Sequence, residues 1–408
     1  MITLLLALAL AAGSTLTIDQ ALVLARQNPQ IAQAQGGVVQ AQGQVGVARS
    51  GFLPSASASV SLNGTTLNPG PQPRDTFYPL FGSNVTVNQT LWDFGRTLGA
   101  YQAARDVERS ARLDVENTWQ QVELSVRTAY YTVLATQALV NVAQQQVDSN
   151  QKKLDLARGL FEVGQRPRFD VTKAEVDLEN SRISLLQATN GVVLSRIALT
   201  QAIGQDVKDA TLVFPELPPA EQPDASSLLQ TALENRPDLQ SVDLRILAAG
   251  ETLDSIRSAW LPILGASATV RWNGTDSPFV NNWTAGATLT WPFLNGGAVL
   301  GRVESQSGVI AQVKAGRDLL LLQIRSEVEQ AVATLGESRA RRAVAKTLVV
   351  QARESLDLAG GRYQAGLGTI IELSDAQTSY SNAQAQEVKA VFDLATAWAQ
   401  LKKATGQS

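Results

Sequence analysis

The chain is 408 residues long, carries a net charge of −3 and contains neither cysteine nor histidine. That excludes thiol nucleophiles, disulfides, Cys/His zinc sites and imidazole acid–base chemistry, so any catalysis would rest on carboxylates, Lys, Ser or Tyr. With no basic excess, nucleic acid is not an expected partner.

Residues 2–12 form an apolar run of the length of a signal-peptide hydrophobic region, followed by small residues suited to cleavage near residues 11–13. The run is too short to cross a bilayer. Residues 1–13 are expected to be a signal peptide, although no Lys or Arg precedes the run; without a cysteine, a lipid-anchored form is not expected.

Period-two patterning comes next. Over residues 55–63, Ala56, Ala58, Val60 and Leu62 alternate with serines, and residues 84–91 alternate more weakly, with Gln89 on the apolar side. From Trp119 the period becomes seven: Val126, Val133, Val140, Val147, Leu154 and Phe161 follow, with Ala129, Ala143 and Ala157 on a second seam. Val171, Leu178, Leu185, Val192 and Leu199 continue the heptad in a further segment. Such repeats predict long helices packed knobs-into-holes.

The same succession then recurs. Strand patterns over residues 265–273 and 283–293 precede a heptad through Leu321, Val328, Leu335, Val349, Leu356 and Tyr363, broken only by Arg342. A last segment carries the small-residue stripe Ala376, Ala383, Ala390, Ala397 and Ala404 beside Leu373, Leu394 and Leu401. Residues 156–204 superpose on 358–406 at an offset of 202, while Arg49, Ser50, Leu53 and Pro54 match Arg257, Ser258, Leu261 and Pro262 at 208. The first copy thus carries six extra residues, placed most simply in the Pro-rich loop 64–83. One unit of about half the chain is expected to have been duplicated. With no Pro between Pro79 and Pro167, or after Pro292, helices over 95–159 and 297–361 are predicted, each on the order of 95 Å long.

The four alternating segments have the length of tilted transmembrane strands. Trp92, Trp260, Trp272, Trp283 and Trp291 lie in or beside them, where an aromatic girdle at a membrane interface is expected. Four strands cannot close a barrel, and an open sheet edge is not tolerated in lipid, so several chains should share one barrel. Three copies would supply twelve strands and leave an aqueous lumen. The predicted fold is therefore mainly α with a membrane β-barrel contribution: long coiled-coil helices and four transmembrane strands per chain, in two repeats, with the barrel shared between chains.

Two copies of a helix ending in R-S-x-x-L-P, a strand hairpin, a long helix, an [FY]-x-x-G turn (Phe161 and Gly164; Tyr363 and Gly366) and a further heptad helix make a specific combination. In these features the chain resembles the TolC-like outer-membrane efflux proteins over roughly residues 17–408. The resemblance implies a homotrimer in the outer membrane, continued by a helical tunnel across the periplasm. It implies a channel for efflux or type I secretion of small molecules or proteins, docked to a periplasmic adaptor and an inner-membrane pump, and neither an enzyme nor a cofactor-binding protein. Thr17 and Gln20 then read as a capping box, and Pro29 and Pro237 as breaks between shorter helices. The repeats fall at 17–210 (hairpin 53–92, last helix 170–203) and 225–408 (hairpin 262–293, last helix 372–405), joined by a Pro-rich linker, 211–224.

The resemblance also places a gate at the [FY]-x-x-G turns, with acidic residues beyond the second turn forming a ring: here Glu372 and Asp375. Copy one has Asp170 and Lys173 at the equivalent places, an i,i+3 pair expected to neutralise itself. The closed tip of the family is latched by Arg, Asp and Tyr. Tyr363 and Asp170 match, the expected Arg is Gly368, and Arg166 or Arg168 is expected to substitute. Two other classes share parts of this pattern. A periplasmic adaptor would carry one coiled-coil hairpin flanked by soluble β-domains, whereas a porin or structural envelope-spanning protein would leave the duplication unexplained.

Overall fold

The computed structural model describes residues 15–66, 77–214, 225–274 and 280–407. The signal peptide, most of the linker and the middle of the Pro-rich loop lie outside the described residues. The described chain is mainly helical. β1 (Thr15–Leu16) precedes α1 (Ile18–Ala25), which starts on a reciprocal cap: the Thr17 N–H donates to Gln20 Oε1 at 2.9 Å, and the Gln20 N–H to Thr17 Oγ1 at 3.3 Å. α2 (Pro29–Ser50) opens on a proline, where the missing N–H is harmless. β2 (Ser55–Thr66) and β3 (Phe77–Trp92) lead to α3 (Arg96–Glu162) and α4 (Arg168–Ile203).

The pattern then repeats. β4 (Thr211–Leu212) pairs in parallel with β1. After it come α5 (Ala225–Asn235), α6 (Pro237–Arg257), a short turn of 3-10 helix, β5 (Ile263–Gly274), β6 (Val280–Thr290), α7 (Ala298–Gln364) and α8 (Ile370–Ala404). α3 and α7 both have 67 residues, about 100 Å of helix at 1.5 Å per residue. Both run three residues past the predicted stops, because Gly159 and Gly361 are ordinary helical positions. The left-handed residues that end the helices are Gly164 (φ 73°) and Gly366 (φ 78°). β6 stops at Thr290, short of 293, since Pro292 cannot donate to a ladder and restricts the residue before it.

By contacts the chain divides into two compact units, each drawing on both halves of the sequence: one from the segments up to Gln33, Val115–Pro237 and Leu321 onward, the other from Ala34–Asp114 and Asp238–Leu320. The first contains the main core. Heptad residues Trp119, Val126 and Val133 of α3 pack with Leu199 and Ile203 of α4, Phe392 of α8 and Leu24 of α1, all buried. Tyr130 staples the short parallel strands: its hydroxyl lies 2.8 Å from Leu16 O and 2.7 Å from Val213 O, and accepts from the Val213 N–H at 2.9 Å. Burial pushes its pKa upward, so this hydroxyl stays protonated. Arg236, buried, reaches Glu327 at 2.5 Å, and Lys403 meets the same carboxylate at 3.2 Å.

The second unit holds a four-stranded antiparallel sheet in the order β2-β3-β5-β6. Its register brings the alternating segments into phase. Ala58 lies opposite Val85, Val85 opposite Val270 and Val270 opposite Trp283, so one face collects Ala, Val, Leu and Trp. The other collects Ser57, Thr86, Thr269 and Thr284, whose pairing includes a 3.1 Å contact between Thr86 Oγ1 and Thr269 Oγ1. Since opposed residues share a face, a one-residue slip at any strand would invert its whole pattern. Gln89, a polar residue on the apolar face, donates its amide to Phe52 O at 3.2 Å and Thr90 O at 2.7 Å. The apolar face is exposed, with Val60 at 72% and Trp283 at 77%.

Candidate functional site

Both [FY]-x-x-G sequences are helix stops of one design. At the end of α3 the Gly164 N–H donates to Phe161 O and the Gln165 N–H to Leu160 O, each at 2.9 Å; at the end of α7 Gly366 donates to Tyr363 O at 3.2 Å and Leu367 to Arg362 O at 2.9 Å. This is the Schellman arrangement, in which a left-handed glycine two residues past the helix lets two later N–H groups satisfy the last carbonyls. The glycine must therefore follow the aromatic residue at a spacing of three.

The two turns differ in what the aromatic residue does. Phe161 is exposed, whereas Tyr363 is fully buried and donates to Asp170 Oδ2 at 3.0 Å. Arg166 lies over the Tyr363 ring, its guanidinium carbon 4.5 Å from the centroid, and donates to Tyr363 O at 2.9 Å and Gly368 O at 2.8 Å. Burial, then the hydrogen bond to Asp170 and its charge, raise the Tyr363 pKa to about 12, so the phenol is a fixed donor at neutral pH. Gly368 is closely packed: a Cβ there would lie 3.1 Å from Arg362 Cβ and 3.2 Å from Glu372 Oε2, so these neighbours would have to give by a few tenths of an ångström. Arg166 enters this cluster while Arg168 is exposed and outside it.

Asp170 and Lys173 do not neutralise each other as the sequence suggested. Asp170 is turned inward to Tyr363, and Lys173 bonds instead to Asp177, one turn further along α4. Asp177 is the centre of a second cluster that the sequence reading missed. Buried Lys153 donates to Asp177 Oδ2 at 2.7 Å and to Ser374 Oγ at 3.0 Å, and Ser374 donates to the same carboxylate oxygen at 2.7 Å. Burial lowers the Lys153 pKa. Burial also works to raise that of Asp177, but its bonds to Lys153, Lys173 and Ser374 outweigh it and hold the carboxyl below its usual value. The one signal available was a Lys at the position next to heptad residue Leu154.

Glu372 and Asp375 lie in the first turns of α8, both exposed. Thr369 caps that helix, accepting from the Glu372 N–H at 3.1 Å. Arg362 sits 3.3 Å from the Glu372 carboxylate, an exposed pair, whereas Asp375 has no cation beside it among the described residues. In the other unit, Trp92, Trp260 and Trp291 stand at the end of the sheet that joins the helices, and Trp291 Nε1 donates to Trp260 O at 3.1 Å. Trp272 and Trp283 stand toward the opposite end, both on the apolar face.

The described residues thus combine long paired helices stopped by Schellman turns with an antiparallel sheet that is apolar on one exposed face. The sequence profile described as outer membrane efflux protein matches residues 18–205 and 228–407, and the chain belongs to that family. It is an outer-membrane efflux protein, extending into the periplasm. It is similar to the outer membrane efflux protein BepC of Brucella suis biovar 1 (strain 1330), 22% identical over 96% of this chain and 85% of the relative. Among solved structures it is similar to the Campylobacter jejuni CmeC outer membrane channel (TM-score 0.85, 19% identity, 95% and 85% of the two chains). It is also similar to the outer membrane protein VceC of Vibrio cholerae (TM-score 0.83, 20% identity, 96% of each).

Proposed function

We propose that the chain is one third of a homotrimeric efflux tunnel, built by duplication, in which three copies close a twelve-stranded barrel in the outer membrane. The observation that carries this is the sheet: one apolar and one polar face in register, with β2 and β6 left as open edges. In lipid those edges must be paired. β2 leaves the helical region and β6 returns to it, so β6 of one copy meets β2 of the next in the antiparallel sense. Two copies would make eight strands, a barrel filled by its own side chains, whereas three is the smallest ring with an aqueous lumen. The hydroxyls of Ser57, Thr86, Thr269 and Thr284, on the polar face, would lose their water if they faced lipid, which orients that face to the lumen.

The Trp residues then form two girdles. Eight residues of extended chain separate Trp283 from Trp291, roughly 26 Å at 3.3 Å per residue, close to the height of a barrel's apolar band. The turns form the periplasmic gate, with Glu372 and Asp375 as its acidic ring and the Tyr363, Asp170 and Arg166 cluster as its latch. The duplicated units are 17–210 and 225–408, joined by the linker 211–224. A periplasmic adaptor and an inner-membrane pump are the partners, and small molecules or proteins the cargo.

Single-cysteine scanning tests the barrel directly, because the chain has no cysteine to remove. In proteoliposomes, cysteines at Ser267, Thr269 and Arg271 should react with a water-soluble thiol reagent, and those at Ala266, Ala268 and Val270 with a lipid-soluble one. Equal reactivity along β5 would overturn the reading.

A further inference from the structure

We propose that Arg271 lines the outer mouth of the channel as a cationic ring that sets its preference for small anionic solutes; this rests on the barrel reading above. Arg271 is the one charged residue in the four strands. Its position is not incidental to the pattern. It lies opposite Asn84 on one side and Asn282 on the other, with Thr86, Thr269, Asn273 and Thr284 on the same face, and no carboxylate on the sheet offsets it. The side chain is exposed, and no hydrogen bond or ion pair within the described residues holds it. A structural arginine would be spent on a carbonyl or carboxylate, as Arg236 and Arg166 are.

The register also gives its depth. Arg271 is three residues from the end of β5 furthest from the helices, beside Trp272 on the apolar face, at the level where the outer girdle places the membrane interface. Three copies put three guanidinium groups around one axis at that level, with no strand carboxylate to screen them. A charged ring in a pore attracts ions of opposite sign and repels its own. The solutes favoured are small acids carrying carboxylate, sulfonate or phosphate, and cationic solutes are slowed at the same point. The acidic residues at the proposed gate have the opposite sign, so the two mouths of the tunnel differ in charge.

The test places a cysteine at Asn282, directly across β6 from Arg271, and compares anionic sulfonatoethyl with cationic trimethylammonioethyl methanethiosulfonate in proteoliposomes. With Arg271 present the anionic reagent should react faster, and Arg271→Gln should lower the anion-to-cation rate ratio about threefold or more, the size expected of one to three charges within a Debye length. Arg271→Lys should keep the ratio, and Asn84→Glu should lower it without touching Arg271. An unchanged ratio in both Arg271→Gln and Asn84→Glu overturns the ring. If at the same time a cysteine at Ala285, on the apolar face, stays shielded from both reagents, the barrel reading stands without it. If Ala285→Cys reacts as fast as Asn282→Cys, the barrel reading fails and the ring with it.

Discussion

Tyr363 has no exposed surface, and its hydroxyl bonds to Asp170 from the other half of the sequence. Its pKa in the fold, about 12, lies above the ordinary phenol value near 10, so the folded state favours the neutral form. That stabilisation is complete below about pH 10 and is lost as the pH rises toward 12, because the unfolded chain ionises first. Thermal unfolding should therefore fall more steeply between about pH 9 and 11.5 in the parent than in Tyr363→Phe; parallel curves would show that Tyr363 is not the titrating group. At the proposed acidic ring, Arg362 already compensates Glu372, while Asp375 has no cation beside it among the described residues. In planar-bilayer recordings Asp375→Asn should weaken cation selectivity and multivalent-cation block more than Glu372→Gln does. If neither change, nor the two together, alters selectivity, these residues are solvated helix-start acids and not the constriction.

Helices α3, α4 and α8 are tied where Lys153, Asp177 and Ser374 meet. Lys153→Met leaves a half-buried carboxylate with Lys173 as its remaining cation, and should destabilise the protein by about 3 kcal/mol, the low end for breaking a buried pair. Adding Asp177→Leu should recover most of that loss, which denaturant midpoints can measure; a double variant no better than the single would mean that packing, not the stranded charge, is the cause. Along α8 the alanine stripe is closed: Ala383 and Ala390 are each 1% exposed and Ala397 2%. Ala390→Leu should overpack this seam at a cost of about 1–3 kcal/mol. An unchanged melting temperature would show that the helices can part to admit it.

For the whole molecule, the two open sheet edges and the exposed apolar face predict that the chain is stable only as an assembly. Cross-linking in mild detergent should give a ladder that ends at three. A folded, monodisperse monomer in detergent would remove the shared barrel and with it the lumen that the polar face is proposed to line. A ladder ending at two would leave eight strands and no aqueous path.

Much of this architecture was legible because its determinants are local and periodic. The heptads named the buried seams: Val126, Val133 and Leu335 are at most 1% exposed, since a repeat of seven keeps one stripe of a helix facing its neighbour whatever that neighbour is. Alternation named the two sheet faces, because the pleat has a period of two in any register. Helix ends were misplaced by three residues because glycine composition alone does not say which glycine adopts a positive φ. Phe161, on the heptad, is exposed because it falls at the last helical turn, beyond the seam. The ties at the turns were not legible at all. Asp170 meeting Tyr363, Arg166 reaching Gly368 and Lys153 gathering Asp177 and Ser374 join residues about 190 to 220 positions apart or on separate helices, a choice among many chemically equivalent partners. The sequence by itself determined the periods, and hence which residues are inward. Only the tertiary structure decided which polar groups pair, because each pairing depends on where a distant segment is brought, and no local period encodes that.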